Sequence, residues 1–158
     1  MHVTVERATT SNLKQLLNIE RECFTVEAYT ERHIFDLLRD PKAVALLARI
    51  DCDVVGFIIG LVEDSKNERL GHVVTIDVAF KYRRKGIGLI LLNEIETILS
   101  QEGAKAIYLE VRADNKSAKQ LYLKQGYREM EPLKDYYSAG AHGLKLIKKL
   151  TESSTSFS

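Results

Sequence analysis

The chain has 158 residues, 45% of them apolar and 28% charged, with a formal net charge of +1. That length can bury a real core in one domain, and the near-neutral charge does not suggest a role dominated by nucleic acid or an anionic membrane surface. Cys23 and Cys52 are too few for a disulfide framework and lack zinc-ligand spacing, so they read as reduced thiols of a cytoplasmic protein; residues 1–6 do not read as a signal peptide, and no apolar run reaches membrane-spanning length.

In chain order, alternation over residues 3–8 predicts a short strand. Thr9, Thr10 and Ser11 offer N-caps to a helix carrying Leu13, Leu16, Leu17 and Glu20 on one face. Residues 23–30 read as an irregular connection, and a second helix spans 31–39 until Asp40-Pro41 stops it. Two β-rich runs, 43–50 and 54–62, flank Asp51-Cys52-Asp53 as a hairpin, and residues 64–69 are polar and turn-like. A third long strand is predicted over 72–80. The helix after Gly86 carries Ile87, Ile90, Leu91, Ile95, Ile98 and Leu99 at helical spacing, and Gly103 closes it. A strand follows over 106–111, and Asp114-Asn115 caps a short helix through Gln125 with Gly126 just beyond. Residues 127–131 and 143–150 read as a final strand pair around a loop at 132–142. The serine-rich stretch 151–158 is expected to be disordered, leaving 1–150 as a single domain. The order β-α-α-β-β-β-α-β-α-β-β predicts a mixed α/β fold: a mixed sheet with helices on its faces.

Chemistry concentrates first at Val78-Ala79-Phe80-Lys81-Tyr82-Arg83-Arg84-Lys85-Gly86-Ile87-Gly88-Leu89, where a strand meets a helix through four cations and two glycines. Glycine allows close backbone approach, and the first N–H groups of a helix point at an anion. Because the whole chain is nearly neutral, this local cluster suits a compact phosphate ligand better than a long polyanion. A dinucleotide fingerprint would need a third glycine where Leu91 stands, and a nucleoside-triphosphate loop would need Gly-Lys-Ser/Thr after a four-residue gap; neither is present. What remains is Arg-x-x-Gly-x-Gly, formed by Arg83, Gly86 and Gly88. The competing reading is a solvated basic turn with a glycine start to a helix.

That pattern is similar to the pyrophosphate loop of the GNAT (GCN5-related N-acetyltransferase) superfamily. Tyr108-Leu109-Glu110-Val111-Arg112-Ala113-Asp114-Asn115, followed by Ala118, Leu121-Tyr122 and Gly126-Tyr127, resembles the second half of that fold. With residues 71–78 and Asp135-Tyr136-Tyr137, the chain resembles the RimI-type ribosomal-protein acetyltransferases and their archaeal and eukaryotic relatives that acetylate protein N-termini. The likeness runs from Val3 to Leu150 and is strongest between Gly71 and Tyr137. It implies a mostly antiparallel twisted sheet of about seven strands flanked by four helices, with acetyl-CoA as cosubstrate in a V-shaped gap between the fourth and fifth strands. Backbone groups of Ile76, Asp77 and Val78 would then pair with the pantetheine arm. The N–H groups across Arg84, Lys85, Gly86, Ile87, Gly88 and Leu89 would cradle the pyrophosphate, with Arg83 and Lys85 steering the ligand in. Asn115 would fix the cofactor chain near its reactive end.

Acetyl transfer needs a neutral amine, whereas a peptide α-amine, with a pKa of roughly 8, is mostly protonated at neutral pH. A base must take a proton, and the departing thiolate benefits from an acid. Alternation groups Glu110 with Tyr108 and Arg112, away from Ile107, Leu109 and Val111. That pattern alone fits a solvated strand face equally well; the resemblance implies Glu110 as base. Tyr122 is the acid candidate on the same grounds, against a core-packing alternative. His72 either orients a water near Glu110 or is structural. Two such ligands do not make a metal site, so none is expected, and neither cysteine has a basic partner nearby in sequence, so no acyl-enzyme is needed.

Acceptor specificity is expected from two loops. Glu27 and Tyr29 match a Glu-x-Tyr position of the archaeal N-terminal acetyltransferases, although Thr25-Val26 stands where that family has prolines. Tyr136 and Tyr137 would close the other side of a peptide channel, against the alternative of a surface hairpin with exposed aromatics. The leading reading is therefore a protein N-terminal acetyltransferase. Lysine or small-amine acetylation on the same scaffold, a non-catalytic acyl-CoA-binding regulatory domain, and a nucleic-acid module driven by residues 81–85 are the competitors. Oligomeric state and peptide preference leave no signature in the sequence.

Overall fold

Capping and turn chemistry sets most element boundaries. The computed structural model describes residues 1–24 and 27–150, so the expectations for Thr25-Val26 and for the stretch 151–158 lie outside the described residues. Strand β1 (Val3–Arg7) is followed by Thr9, whose hydroxyl accepts from the Ser11 N–H while the Asn12 side chain accepts from the Thr9 N–H. This capping box closes a 3-10 turn, Thr10–Asn12, ahead of helix α1 (Leu13–Cys23). Thr30 caps helix α2 (Glu31–Arg39) by accepting from the His33 N–H. Strands β2 (Ala43–Ile50) and β3 (Asp53–Ser65) turn at Asp51, which adopts a φ of 56°.

Strand β4 (Glu68–Val78) differs from the sequence expectation at both ends. The polar stretch 64–69 is mostly strand, because two left-handed residues, Lys66 (φ 44°) and Asn67 (φ 70°), are enough to turn the hairpin. At the far end the strand stops at Val78: the Tyr82 and Arg83 N–H groups bond back to the Ala79 and Phe80 carbonyls and curl residues 80–82 into a 3-10 turn. Helix α3 (Ile87–Gln101), strand β5 (Ala106–Arg112) and helix α4 (Lys116–Lys124, capped by Asn115) follow as expected.

The expected loop at 132–142 is also strand. Strands β6 (Arg128–Ser138) and β7 (Ala141–Lys149) pair through it, with Pro132 opposite Leu144. Proline argues against a central strand, but β6 lies at the sheet edge, where a strand tolerates it. The ladder is irregular between Leu133 and Ser138, where Asp135 takes a φ of 54°.

Among the described residues the fold is mixed α/β, with four α-helices and a seven-stranded, mostly antiparallel sheet in the order β1-β2-β3-β4-β5-β7-β6. The pairing of β4 with β5 is parallel, through Leu70, Gly71 and His72 opposite Ala106, Ile107 and Tyr108. The chain forms two compact units. The first, Met1–Leu61 with Val73–Leu99, buries Leu16, Ile34, Leu47, Phe57 and Ile59 in one cluster. The second, Val62–His72 with the chain from Ser100 onward, buries Ile107, Leu109, Tyr122, Tyr127 and Leu146. No described helix is long and apolar enough to cross a membrane.

Candidate functional site

In the second unit, β5 alternates as its sequence demands. Ile107, Leu109 and Val111 are buried, while Tyr108, Glu110 and Arg112 are half-buried on the other face. Parallel pairing sets His72 opposite Tyr108, and the two rings stack with centroids 4.4 Å apart and planes 5° from parallel. This brings His72 Nε2 to 2.8 Å from Glu110 Oε1. The two residues singled out for proton chemistry meet directly. Their side chains are 19% and 17% exposed, open enough to exchange protons and dry enough for the bond to matter.

Two further residues complete the cluster, and neither was assigned a role from sequence. Tyr108 donates its hydroxyl to Glu63 Oε1 at 2.6 Å, and Glu63 Oε2 lies 3.5 Å from His72 Nδ1. Burial, and then the bond to Glu63, pushes the Tyr108 phenol up, so it remains a donor. Lys145, opposite Glu110 in the β5–β7 register, holds its ammonium 4.6 Å from the Tyr108 ring centre. Tyr108 could have been found from its i, i+2 relation to Glu110. Glu63 had only one signal, a carboxylate directly after the apolar run 54–62.

Tyr122 is 6% exposed on α4, edge-on to Tyr127 at 5.8 Å, and its carbonyl accepts from the Tyr127 N–H. Asn115 commits its side-chain oxygen to the helix start, accepting from the Ala118 N–H at 3.2 Å. Tyr136 and Tyr137 pack edge-to-face at 4.9 Å. Gly143 makes room for them, since a Cβ there would lie 3.2 Å from Tyr137 and 3.3 Å from Tyr136. Tyr136 is half exposed, and burial followed by the Glu110 charge raises its phenol pKa.

In the first unit, the phosphate-type turn has the backbone its glycines require. Arg84 and Gly86 adopt φ of 63° and 81°, and the Ile90 N–H bonds to the Gly86 carbonyl at 3.0 Å. Gly86 is thus the last residue before α3, and helix geometry leaves the N–H groups of Ile87, Gly88 and Leu89 without intrahelical acceptors. Lys81, Arg84 and Lys85 are exposed around them. Arg83, also exposed, is committed to the protein: Nε donates to the Val78 carbonyl at 3.0 Å, Nη2 reaches Cys23 Sγ at 3.2 Å, and the guanidinium lies over Phe80. Burial and Asp77 push the Cys23 thiol up to about 11, so it is a poor nucleophile.

Val73, Thr75 and Asp77 form the buried face of β4 in this unit, and Val74, Ile76 and Val78 the half-buried one. Thr75 Oγ1 lies 3.2 Å from Glu20 Oε1 and 2.9 Å from Asp77 Oδ1. One hydroxyl proton cannot serve both acids, and Asp77 Oδ2 has no hydrogen-bond partner among the described residues. Burial, and then Glu20, holds the Asp77 carboxyl well above the usual range. Glu20 Oε2 accepts from the Tyr29 N–H at 3.0 Å, and the Tyr29 hydroxyl reaches the Val74 carbonyl at 3.4 Å. The segment bearing Glu27 and Tyr29 is therefore anchored to β4 through a buried acid. Among the described residues, no cluster of three or more His, Cys, Asp or Glu side chains has metal-binding geometry.

Comparison with known proteins bears on this arrangement. Residues 13–127 match the model of the Acetyltransferase (GNAT) family. An N-alpha-acetyltransferase of Sulfurisphaera tokodaii is 32% identical over 145 residues, covering 86% of each chain. The N-alpha-acetyltransferase 50 of Danio rerio is 33% identical over 142 residues, covering 87% of this chain and 83% of the relative. The crystal structure of Arabidopsis thaliana Naa50 in complex with the bisubstrate analogue CoA-Ac-MVNAL superposes with a TM-score of 0.83 at 24% identity, over 95% of this chain and 100% of that one. A glycine-opened helix start and a hydrogen-bonded His72–Glu110 pair thus stand in a chain whose fold and sequence agree, and the chain belongs to the GNAT acetyltransferase family.

Proposed function

We propose that this protein transfers the acetyl group of acetyl-CoA to the N-terminal α-amine of proteins or peptides, by direct attack in a ternary complex. The observation that carries the reading is the 2.8 Å bond between His72 Nε2 and Glu110 Oε1 on a half-buried strand face. It fits a base that removes the amine proton with an imidazole holding it in place. Tyr122 is the acid for the departing thiolate, and the depth of its ring in α4 supports a fixed geometry. The N–H groups of Ile87, Gly88 and Leu89, with the exposed charges of Arg84 and Lys85, hold the pyrophosphate at the α3 start. Gly86 allows the turn, and Arg83 braces it from behind. Backbone groups of Ile76, Asp77 and Val78 line the pantetheine arm, and Asn115 contacts it while capping α4. Acceptor binding is assigned to Glu27 and Tyr29 in the first unit and to Tyr136 and Tyr137 in the second.

The high thiol pKa of Cys23 supports transfer without an acyl-enzyme. Residues 1–150 act as one acetyltransferase domain, which the family match over 13–127 supports, since it takes in sequence from both compact units. Acceptors are protein N-termini, ribosomal proteins among them.

The deciding experiment incubates the protein with acetyl-CoA and peptides that differ at residue one, with N-terminally blocked and lysine-containing controls. Acetylation of free α-amines is the expected result. Transfer confined to lysine would assign side-chain acetylation instead, and no CoA release from any peptide would favour a binding module.

A further inference from the structure

We infer that Glu63 is a positioning residue for the His72–Glu110 pair, holding the imidazole from its far edge and setting the charge beside it. The inference rests on the acetyl-transfer reading for its consequence in turnover, but the geometry belongs to the cluster itself. Glu63 divides its two oxygens between two neighbours: Oε1 accepts from the Tyr108 hydroxyl at 2.6 Å, and Oε2 faces His72 Nδ1 at 3.5 Å. Tyr108 in turn stacks its ring on the imidazole with planes 5° apart. The ring thus stacks on Tyr108, bonds Glu110 at Nε2 and has the Glu63 carboxylate within ion-pair distance of Nδ1. Such outer partners decide which nitrogen of a histidine faces its working neighbour.

The charges around His72 come from several elements. Glu63 approaches from β3 and Glu110 from β5, and both are acidic. Lys145 on β7 lies over Tyr108, and Tyr136 on β6 senses the Glu110 charge. Glu63, 38% exposed, is wetter than either member of the pair. Removing its negative charge disfavours every protonated form of the pair, whichever partner holds the proton. The acidic limb of the pH–rate profile must then move to lower pH. A Glu63 that only filled space or tethered Tyr108 would not move it.

The test is Glu63→Gln in the full chain, since glutamine keeps the size and an acceptor for Tyr108 but not the charge. Expected are a roughly tenfold fall in kcat with peptide KM within about twofold, and a shift of the acidic limb by about half a pH unit or more to lower pH. Glu63→Asp should restore part of that shift. Tyr108→Phe, which keeps the charge, should not lower the limb. In a His72→Gln background, Glu63→Gln should add little, because coupled residues are not additive. The His72 ring resonances, followed by NMR across pH without substrate, should move in the same direction in Glu63→Gln. An unmoved ring titration and an unmoved limb overturn the inference even if the enzyme is active. A moved ring titration in a protein that acetylates no peptide sustains the role of Glu63 toward His72 and overturns the acetyl-transfer reading instead.

Discussion

In the proposed reaction Glu110, whose carboxylate lies 2.8 Å from His72 Nε2, is the base, and its loss should be felt in turnover rather than in binding. Glu110→Gln should therefore lower kcat by about 100-fold or more while CoA affinity stays near wild type, as steady-state kinetics and calorimetry can measure. Tyr122→Phe should also slow turnover, since it deletes the hydroxyl and keeps the ring against Tyr127. Equal loss in both variants of CoA affinity would move these residues from chemistry to binding. Asp77 carries a different consequence. Its folded-state pKa lies well above the ordinary 3.8, so its contribution to stability is full below about pH 4 and is lost as pH rises through the folded value. Asp77→Asn has no proton to lose. Its Tm should fall less between pH 5 and pH 9 than the wild-type Tm, by about 3 °C or more.

At the scale of elements, the close approach of β3 to the end of β4 depends on Gly56. A Cβ there would lie 2.8 Å from the Asp77 carbonyl oxygen and 3.4 Å from Leu91, a backbone obstacle that cannot rotate away. Gly56→Ala should cost about 1–3 kcal/mol in urea unfolding. Element boundaries were legible wherever a local signal sets them: the Thr9 cap, the Asn115 cap and the Pro41 stop all act within a few residues. Strand β6 was not legible beyond Glu131, because a proline and mostly exposed side chains look like loop until the edge position of the strand is known. The true ends of β4 escaped for a related reason: strand length depends on the partner strand as well as on composition.

For the molecule as a whole, a ligand that binds only the folded state must stabilise it. Coenzyme A at 100 times its Kd should add about 2.7 kcal/mol, read as a rise in Tm. Gly86→Ala should shrink that rise, since a side chain at φ 81° strains the turn although nothing within 4 Å would obstruct it. No rise in the wild-type protein would remove the cofactor from the proposal. The linear order of residues by itself determined the element order, the caps and the basic glycine turn, because each depends on neighbours a few positions apart. It also named Glu110 and His72, through strand alternation and family likeness. That these two touch, that Tyr108 bonds Glu63 beside the imidazole, and that Glu20 reaches Asp77 through Thr75 was decided only in three dimensions. Those partners stand 38, 45 and 55 residues apart in sequence. Strand pairing and burial alone determine which side chains at such separations share a face.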